Sequence, residues 1–493
     1  MSEPSSDLNS ASPTGLHAPE VPPKRAILVS VQLPDSDERS FQESLDELGR
    51  LAETLGLSVA GRVTQRRGRI DAAAYLGTGK LTELETLVKA SDEPTVVLLD
   101  HEVSPSQSRN VQKAVGAHSV LDRTALILEI FHRHARSRQA KLQVELVRAQ
   151  YMAPRLRENQ KLGDRVRGGI GGKGAGESQL ELDRRKLRDR IAELRGELAA
   201  LDVEGRTRSA RRQGLRRVAL CGYTNAGKST LFRALTESEV YVADKLFATL
   251  DTTVRALHPA PRQRILLSDT IGFIRNLPTQ LVASFKSTLD EALEAGLILH
   301  VVDSADPACL AHIETTRGVL REIGAGSVPE LFVFNKCDKL VDGALSADVQ
   351  AFLASLSKSP APTAPNPTTP DTTPDTTPDT APNTSSDTAP LEQGAYAGAI
   401  QVSAKNASDV ARVRQAIIDF FDRDLVQTEI FVPYSRQELR GVLYANAEVT
   451  AERFDEQGVF FSVRIDQVAL ARLRASLKSS STGLLSSATS EEE

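Results

Sequence analysis

The chain has 493 residues, with 40% hydrophobic and 25% charged residues and a formal net charge of −5. Its length suffices for about three domains with cores of their own, and its near-balanced charge means that any nucleic-acid contact must come from a local patch. Three cysteines and no Cys-x-x-Cys pair exclude a disulfide framework or a thiolate zinc site and point to a reducing compartment.

Residues 1–24 are rich in Ser and Pro, lack the apolar core of a secretory signal, and read as a disordered tail. Ala26 to Val31 reads as a strand, and Ser40 to Leu55 carries Leu45, Leu48, Leu51 and Leu55 at helical spacing. Ser58 to Val63 reads as a second strand, Lys80 to Lys89 as a helix, and Pro94 to Leu99 as a buried strand ending at Asp100. Alternating strands and helices predict a small α/β domain over 25–130.

Residues 131–212 read as a helical hairpin with a Gly-rich loop. Arg133 to Met152 is a charged amphipathic helix, and Leu180 to Leu201 is a long one. Leu180, Leu187, Leu194 and Leu201 recur every seven residues, with Ile191 and Leu198 in the second seam, as in a short antiparallel coiled coil. Between the helices, Gly168 to Gly176 holds six glycines beside Arg165 and Arg167. That loop is either a flexible linker or bare backbone that approaches a phosphate-rich partner. The basic run Arg206, Arg208, Arg211, Arg212, Arg216 and Arg217 is either a solvated linker face or an RNA contact.

The most specific signal lies within 213–425. Gly222-Tyr223-Thr224-Asn225-Ala226-Gly227-Lys228-Ser229 is a full phosphate-loop pattern, entered by the apolar run Val218 to Cys221 and left by a helical stretch. Gly222 and Gly227 let the backbone turn so that N–H groups face a pyrophosphate, which also meets the positive end of the following helix. Lys228 is placed for the β- and γ-phosphates, and the Ser229 hydroxyl for Mg²⁺. Asp269-Thr270-Ile271-Gly272 follows the apolar run 265–267, with Asp269 reaching the metal through water and the Gly272 N–H facing the γ-phosphate. Asn335-Lys336-Cys337-Asp338 follows the apolar run 331–334. A carboxylate at Asp338 accepts both N1–H and N2–H₂ of guanine, a donor pair that adenine lacks. Ser403-Ala404-Lys405 follows Ile400 to Val402 and closes over the base. The order of these motifs, each after its own strand, predicts a doubly wound P-loop GTPase domain.

A Thr/Pro-rich insertion is expected to be disordered over 343–395. Within it, Pro370 to Asp379 repeats a four-residue unit with no apolar side chain. From residue 426 to 478 the pattern becomes a small α+β module. It reads as a strand at Ile430 to Val432, a helix at Ser435 to Ala445, alternating strands at 448–454 and 459–465, and a final helix at 466–477, giving βαββα. A Ser-rich acidic tail fills 479–493.

Taken together, these residues resemble the HflX family of translational GTPases over most of the chain. The resemblance runs through Tyr75 to Lys80, Asp122 to Leu128, Lys141 to Leu146, Gly168 to Glu181 with Asp183-Arg184-Arg185, Leu246 to Asp251, and Asp269 to Leu277. It implies that Phe247, Ala248, Thr249, Leu250 and Asp251 form switch I. The Thr249 hydroxyl would sit on Mg²⁺ beside Ser229, and its N–H on the γ-phosphate. It also implies binding to the large (50S) ribosomal subunit and its rRNA, in ribosome splitting or rescue, protein synthesis or subunit maturation. The Gly-rich loop and basic run would then be rRNA contacts. The expected species is a cytoplasmic monomer with no membrane span that binds GTP or GDP. Two departures stand out. Thr252 replaces the family's usual Pro, and the Thr/Pro-rich insertion is additional.

The expected reaction is in-line attack of water on the γ-phosphate, with Lys228, Thr249 and Gly272 as the catalytic set. Phe273 stands where many related GTPases place a water-orienting Gln, and a phenyl ring cannot orient water. Either a partner completes the site or Phe273 swings away and another group helps; both predict slow hydrolysis by the isolated protein. The alternatives are a GTPase of another RNA process, such as tRNA modification or rRNA assembly, and a nucleotide-gated binding protein.

Overall fold

The computed structural model describes residues 24–156, 179–210, 215–238, 246–247, 249–250, 252–261, 264–275, 281, 286–340, 344–357, 396–423, 425–436, 438–466 and 470. The N-terminal tail, the Gly-rich loop, Ala248, Asp251, the Pro-Asp-Thr-Thr repeat and the acidic tail lie outside that set. The chain divides into two compact units, 1–198 and 199–493. Among the described residues, no helix is long and apolar enough to cross a membrane.

The first unit is built on strands β1 (Arg25–Gln32), β2 (Ser58–Arg66), β3 (Thr95–Leu99) and β4 (Ser119–Asp122), all parallel in the order β2-β1-β3-β4. β1 from Ala26 onward and β3 are buried along their length because both of their faces are covered. Helices α2 (Thr78–Lys89) and α3 (Pro105–Val115) pack Leu84, Val88, Val111 and Val115 against Ile27, Val29 and Val97. Helix α1 (Glu38–Thr54) covers the opposite face, where Gly49 lies next to Leu28, and packs against α4 (Arg123–His134). Local sequence sets the helix starts. The Asp37 side chain accepts from Ser40 N at 2.6 Å, and Ser104 and Gln107 form a reciprocal capping box with Pro105 in the first turn.

The expected single helix from Arg133 to Met152 is instead two. α4 ends at His134, Ala135 is extended, and α5 (Arg138–Leu156) begins after Ser137, whose hydroxyl accepts from Ala140 N at 3.1 Å. Periodicity alone hid this break, because a Ser that caps a helix start looks like any polar position. α6 (Gln179–Ala210) runs antiparallel to α5. Arg138 pairs with Glu197 and Arg190 with Glu145, each at 2.8 Å, and Leu194 and Leu198 are buried in the seam.

The second unit holds a sheet in the order β10-β9-β8-β5-β7-β6. Its strands are β5 (Arg216–Cys221), β6 (Thr253–Ala256), β7 (Ile265–Asp269), β8 (Leu297–Asp303), β9 (Glu330–Asn335) and β10 (Tyr396–Gln401). All pairings are parallel except β6 with β7, so the expected doubly wound sheet is mixed at this edge. Helices α7 (Lys228–Thr236), α8 (Lys286–Leu293), α9 (Cys309–Glu322), α10 (Ala347–Ser357) and α11 (Ala407–Asp422) complete it. α7 and α11 line the core on one face, and Ala292, Leu320, Ile313, Val349 and Leu356 line it on the other.

Helix α10 corrects the expected disordered stretch 343–395: residues 347–357 are helical, and 358–395 lie outside the described residues. Val349, Phe352, Leu353 and Leu356 sit at i, i+3, i+4 and i+7 and pack on Phe332 and Phe334. A small antiparallel sheet closes the chain in the order β11-β13-β12, with β11 (Leu425–Pro433), α12 (Glu438–Asn446), β12 (Ala447–Phe454) and β13 (Gly458–Asp466). Of the expected helix 466–477, only Leu470 is described beyond the end of β13; it is helical and buried.

Candidate functional site

Strand β5 delivers its chain at Cys221 into the loop Gly222 to Ser229. Gly222 has φ +149°, and a Cβ there would lie 2.2 Å from the Val301 carbonyl oxygen. Gly227 has φ +97°, and a Cβ there would meet the Asn335 amide nitrogen at 2.1 Å. Both positions demand glycine for conformation and for space. Lys228, only 6% exposed, donates from Nζ to the carbonyls of Gly222 and Tyr223 at 3.1 and 2.8 Å. Burial pulls its amine down from the ordinary lysine range to about 8, with Asp269 opposing the shift.

Three oxygen side chains from three elements converge beside it. The hydroxyls of Ser229 and Thr249 are 2.6 Å apart, and Thr249 donates to Asp269 Oδ2 at 3.2 Å. Asp269 is fully buried, and its Oδ1 has no hydrogen-bond partner. Burial pushes this carboxyl above the usual carboxylate range, against the pull of Ser229 and Lys228. A buried, unsatisfied carboxylate oxygen beside two hydroxyls is a hard-oxygen set that fits Mg²⁺. Thr270 is buried with its hydroxyl donating to the Leu220 carbonyl at 2.6 Å. In switch I, Leu246, Phe247 and Leu250 are buried, and Phe247 sits at φ +55°.

The base motifs form a tied group. Asn335 donates to the Ala226 carbonyl at 2.9 Å and accepts from Ala404 N at 2.9 Å, so one side chain joins the phosphate loop to Ser403-Ala404-Lys405. Lys336, at φ +63°, reaches the Asn225 carbonyl and Asp303, each at 2.7 Å. Cys337 N donates to the Val402 carbonyl at 3.2 Å. Asp338 is exposed, and its hydrogen bond from Ser403 holds the carboxyl below the usual range. Lys405 is exposed at the same loop. Asp409, not anticipated from the sequence, accepts from Ser403 N at 2.9 Å and braces that loop.

The residues after Asp269 run alongside the phosphate loop. Ile271 is buried, and Gly272 sits so close that a Cβ would lie 2.9 Å from Thr224 Cα and 3.0 Å from Lys228 Nζ. The Phe273 ring is 2% exposed and packs with Ala219, Cys221, Ala292 and Ile298 in the core. The ring therefore lies in the core and presents no group to a water at the phosphate loop. Two members of the basic run have structural duties: Arg216 pairs with Asp422 at 3.2 Å, and Arg217 pairs with Glu294. The side chains of the other four lie outside the described residues.

Comparison with known proteins follows the same layout. A family model for the GTP-binding GTPase N-terminal region matches residues 42–132, one for the GTPase middle region matches 134–212, and one for a 50S ribosome-binding GTPase matches 217–336. GTPase HflX of Gluconacetobacter diazotrophicus is 46% identical over 92% of this chain and 97% of its own length. GTPase HflX of Caldanaerobacter subterraneus is 35% identical over 92% of this chain and 93% of its own. A GTP-binding protein from Sulfolobus solfataricus, solved with GDP, is 22% identical with a TM-score of 0.42, covering 81% of this chain and 99% of its own. The chain belongs to the HflX family of GTPases.

Proposed function

We propose that this protein is a Mg²⁺-dependent GTP switch that acts in the cytoplasm, as a monomer, on the large ribosomal subunit and its rRNA. The observation that carries the nucleotide part is the meeting of Ser229, Thr249 and Asp269 at the phosphate loop, with the Asp269 Oδ1 atom left to a further partner. Ser229 and Thr249 would hold the metal directly, with Asp269 behind them. When bound, the metal neutralises charge on the β- and γ-phosphates. Lys228 exchanges its two loop carbonyls for phosphate oxygens, Gly272 offers its N–H to the γ-phosphate, and Thr249 links that phosphate to switch I. Asp338 selects guanine and Ser403-Ala404-Lys405 closes over it.

The ribosomal part rests on the family and on a match to a 50S ribosome-binding GTPase domain. The buried Phe273 ring supports a site with a weak water-positioning apparatus of its own and therefore slow intrinsic turnover. The test is GTP hydrolysis by the full chain, alone and with purified large subunits, at low and moderate salt. Strong stimulation is expected. Absence of stimulation, together with no co-sedimentation in a non-hydrolysable GTP analogue, would refute the ribosomal role and favour a different RNA.

A further inference from the structure

Phe273 is withdrawn into the core, so no side chain at that position orients anything at the phosphates. The main chain of 272–275 must then hold its own place over the phosphate loop, and three hydrogen bonds do this. Thr224 N donates to the Phe273 carbonyl at 2.8 Å, and Phe273 N donates to the Gly222 carbonyl at 3.2 Å, a short parallel bridge. The third comes from a side chain: Tyr223 Oη accepts from Arg275 N at 2.8 Å. The first two bonds both grip residue 273 and leave the segment free to pivot about it. The third grips two residues further on and removes the pivot.

The tyrosine is itself held. Its ring, 5% exposed, lies flat on the His312 ring of α9, with centroids 3.7 Å apart and planes 11° from parallel. α9 packs on β8, so the anchor reaches back to the sheet through a rigid element. We infer that Tyr223 is a positioning residue for hydrolysis: its hydroxyl fixes the main chain that carries Gly272 over the phosphate loop, and His312 fixes the ring. This rests on the GTPase reading above and deepens it, giving the second phosphate-loop position a task beyond lining the nucleotide. An acceptor on the phosphate loop itself ties the segment nearest the γ-phosphate to the loop that wraps the other phosphates. The two then move as one body.

The experiment compares full-length wild type with Tyr223→Phe, His312→Ala and His312→Phe. Tyr223→Phe keeps the ring stack and removes the hydroxyl that accepts from Arg275 N. Its kcat should fall by about tenfold, the value of one hydrogen bond made in the transition state. KM for GTP and affinity for GDP should stay within about twofold, while affinity for GDP with aluminium fluoride should fall with kcat. His312→Ala should move the same quantities in the same direction, and His312→Phe, which restores a flat ring, should recover most of the loss. A Tyr223→Phe protein with wild-type kcat overturns the inference. So does one whose GDP affinity falls in step with kcat, because that pattern reports general damage to the loop. Wild-type protein that binds GDP but hydrolyses no GTP, with or without large subunits, overturns the GTPase reading and this inference with it.

Discussion

At the residue scale, the site separates positions whose chemistry dictates a residue type from positions that only the fold explains. Asp338→Asn replaces an acceptor with a donor toward guanine. Losing two charge-assisted bonds of ~1.5 kcal/mol each should weaken GTP about 100-fold, read by competition binding. Phe273→Gln tests the turned-away ring. A buried amide in that core should cost about 2–4 kcal/mol in a denaturant titration and bring no gain in turnover. A large rate increase would show that the side chain reaches the phosphates after all. Lys228 gives a pH prediction. Its amine titrates near 8 in the free protein because burial disfavours its charge, whereas bound phosphate requires the ammonium. Binding therefore takes up a proton above that pH. GDP affinity should be flat below pH 8 and decline up to pH 8.8, and Lys228→Met should bind weakly without that decline. The glycines, Lys228, Ser229, Asp269 and Asp338 were singled out in the sequence because a phosphate, a metal and a guanine would each demand one kind of group. His312 and Asp409 were not, and Tyr223 was read only as part of the phosphate loop, without its anchoring role. Tyr223 occupies an unconstrained position of the phosphate-loop pattern, and the other two come from helices whose approach only tertiary packing decides.

At the element scale, Asp122 organises the first unit. It ends β4, caps α4 by accepting from Ala125 N at 2.8 Å, and accepts from Tyr151 Oη and Arg155 of α5 at 2.7 and 2.9 Å. Its second oxygen also accepts from Val103 N at 3.3 Å. Asp122→Ala should destabilise this unit by about 2–4 kcal/mol, since a partly buried cation and several donors lose their buried acceptor. Hydrogen exchange should show lost protection in α4 and α5 and unchanged protection in β5 and β8. Equal loss in both units would contradict the assignment. The coiled-coil seam of α6 was legible because a heptad repeats itself. The break at 135–137 was not, because a cap is a single residue. Helix α10 was hidden differently: its short apolar stripe adjoins a low-complexity stretch and was absorbed into it.

At the scale of the whole molecule, the succession of an α/β unit, a helical hairpin, a nucleotide-binding sheet and a small antiparallel module was readable from alternating periodicities. The antiparallel placement of β6 was not, because a four-residue strand carries little pattern. The Thr/Pro-rich stretch lies between α10 and β10, and among the described residues β10 is an edge strand paired with β9. Replacing residues 362–392 by a short Gly-Ser linker should leave kcat and KM within about twofold, because closure entropy changes slowly with length. A large change in GTP affinity would mean that the stretch acts on the base loops. The edge position also has a genetic consequence. A repeat of four codons lengthens or shortens by slippage during copying without shifting the reading frame. Each such event adds or removes whole units ahead of a strand whose pairing with β9 fixes its register. Lineages can therefore drift in length here while the strand and the loop it delivers stay the same.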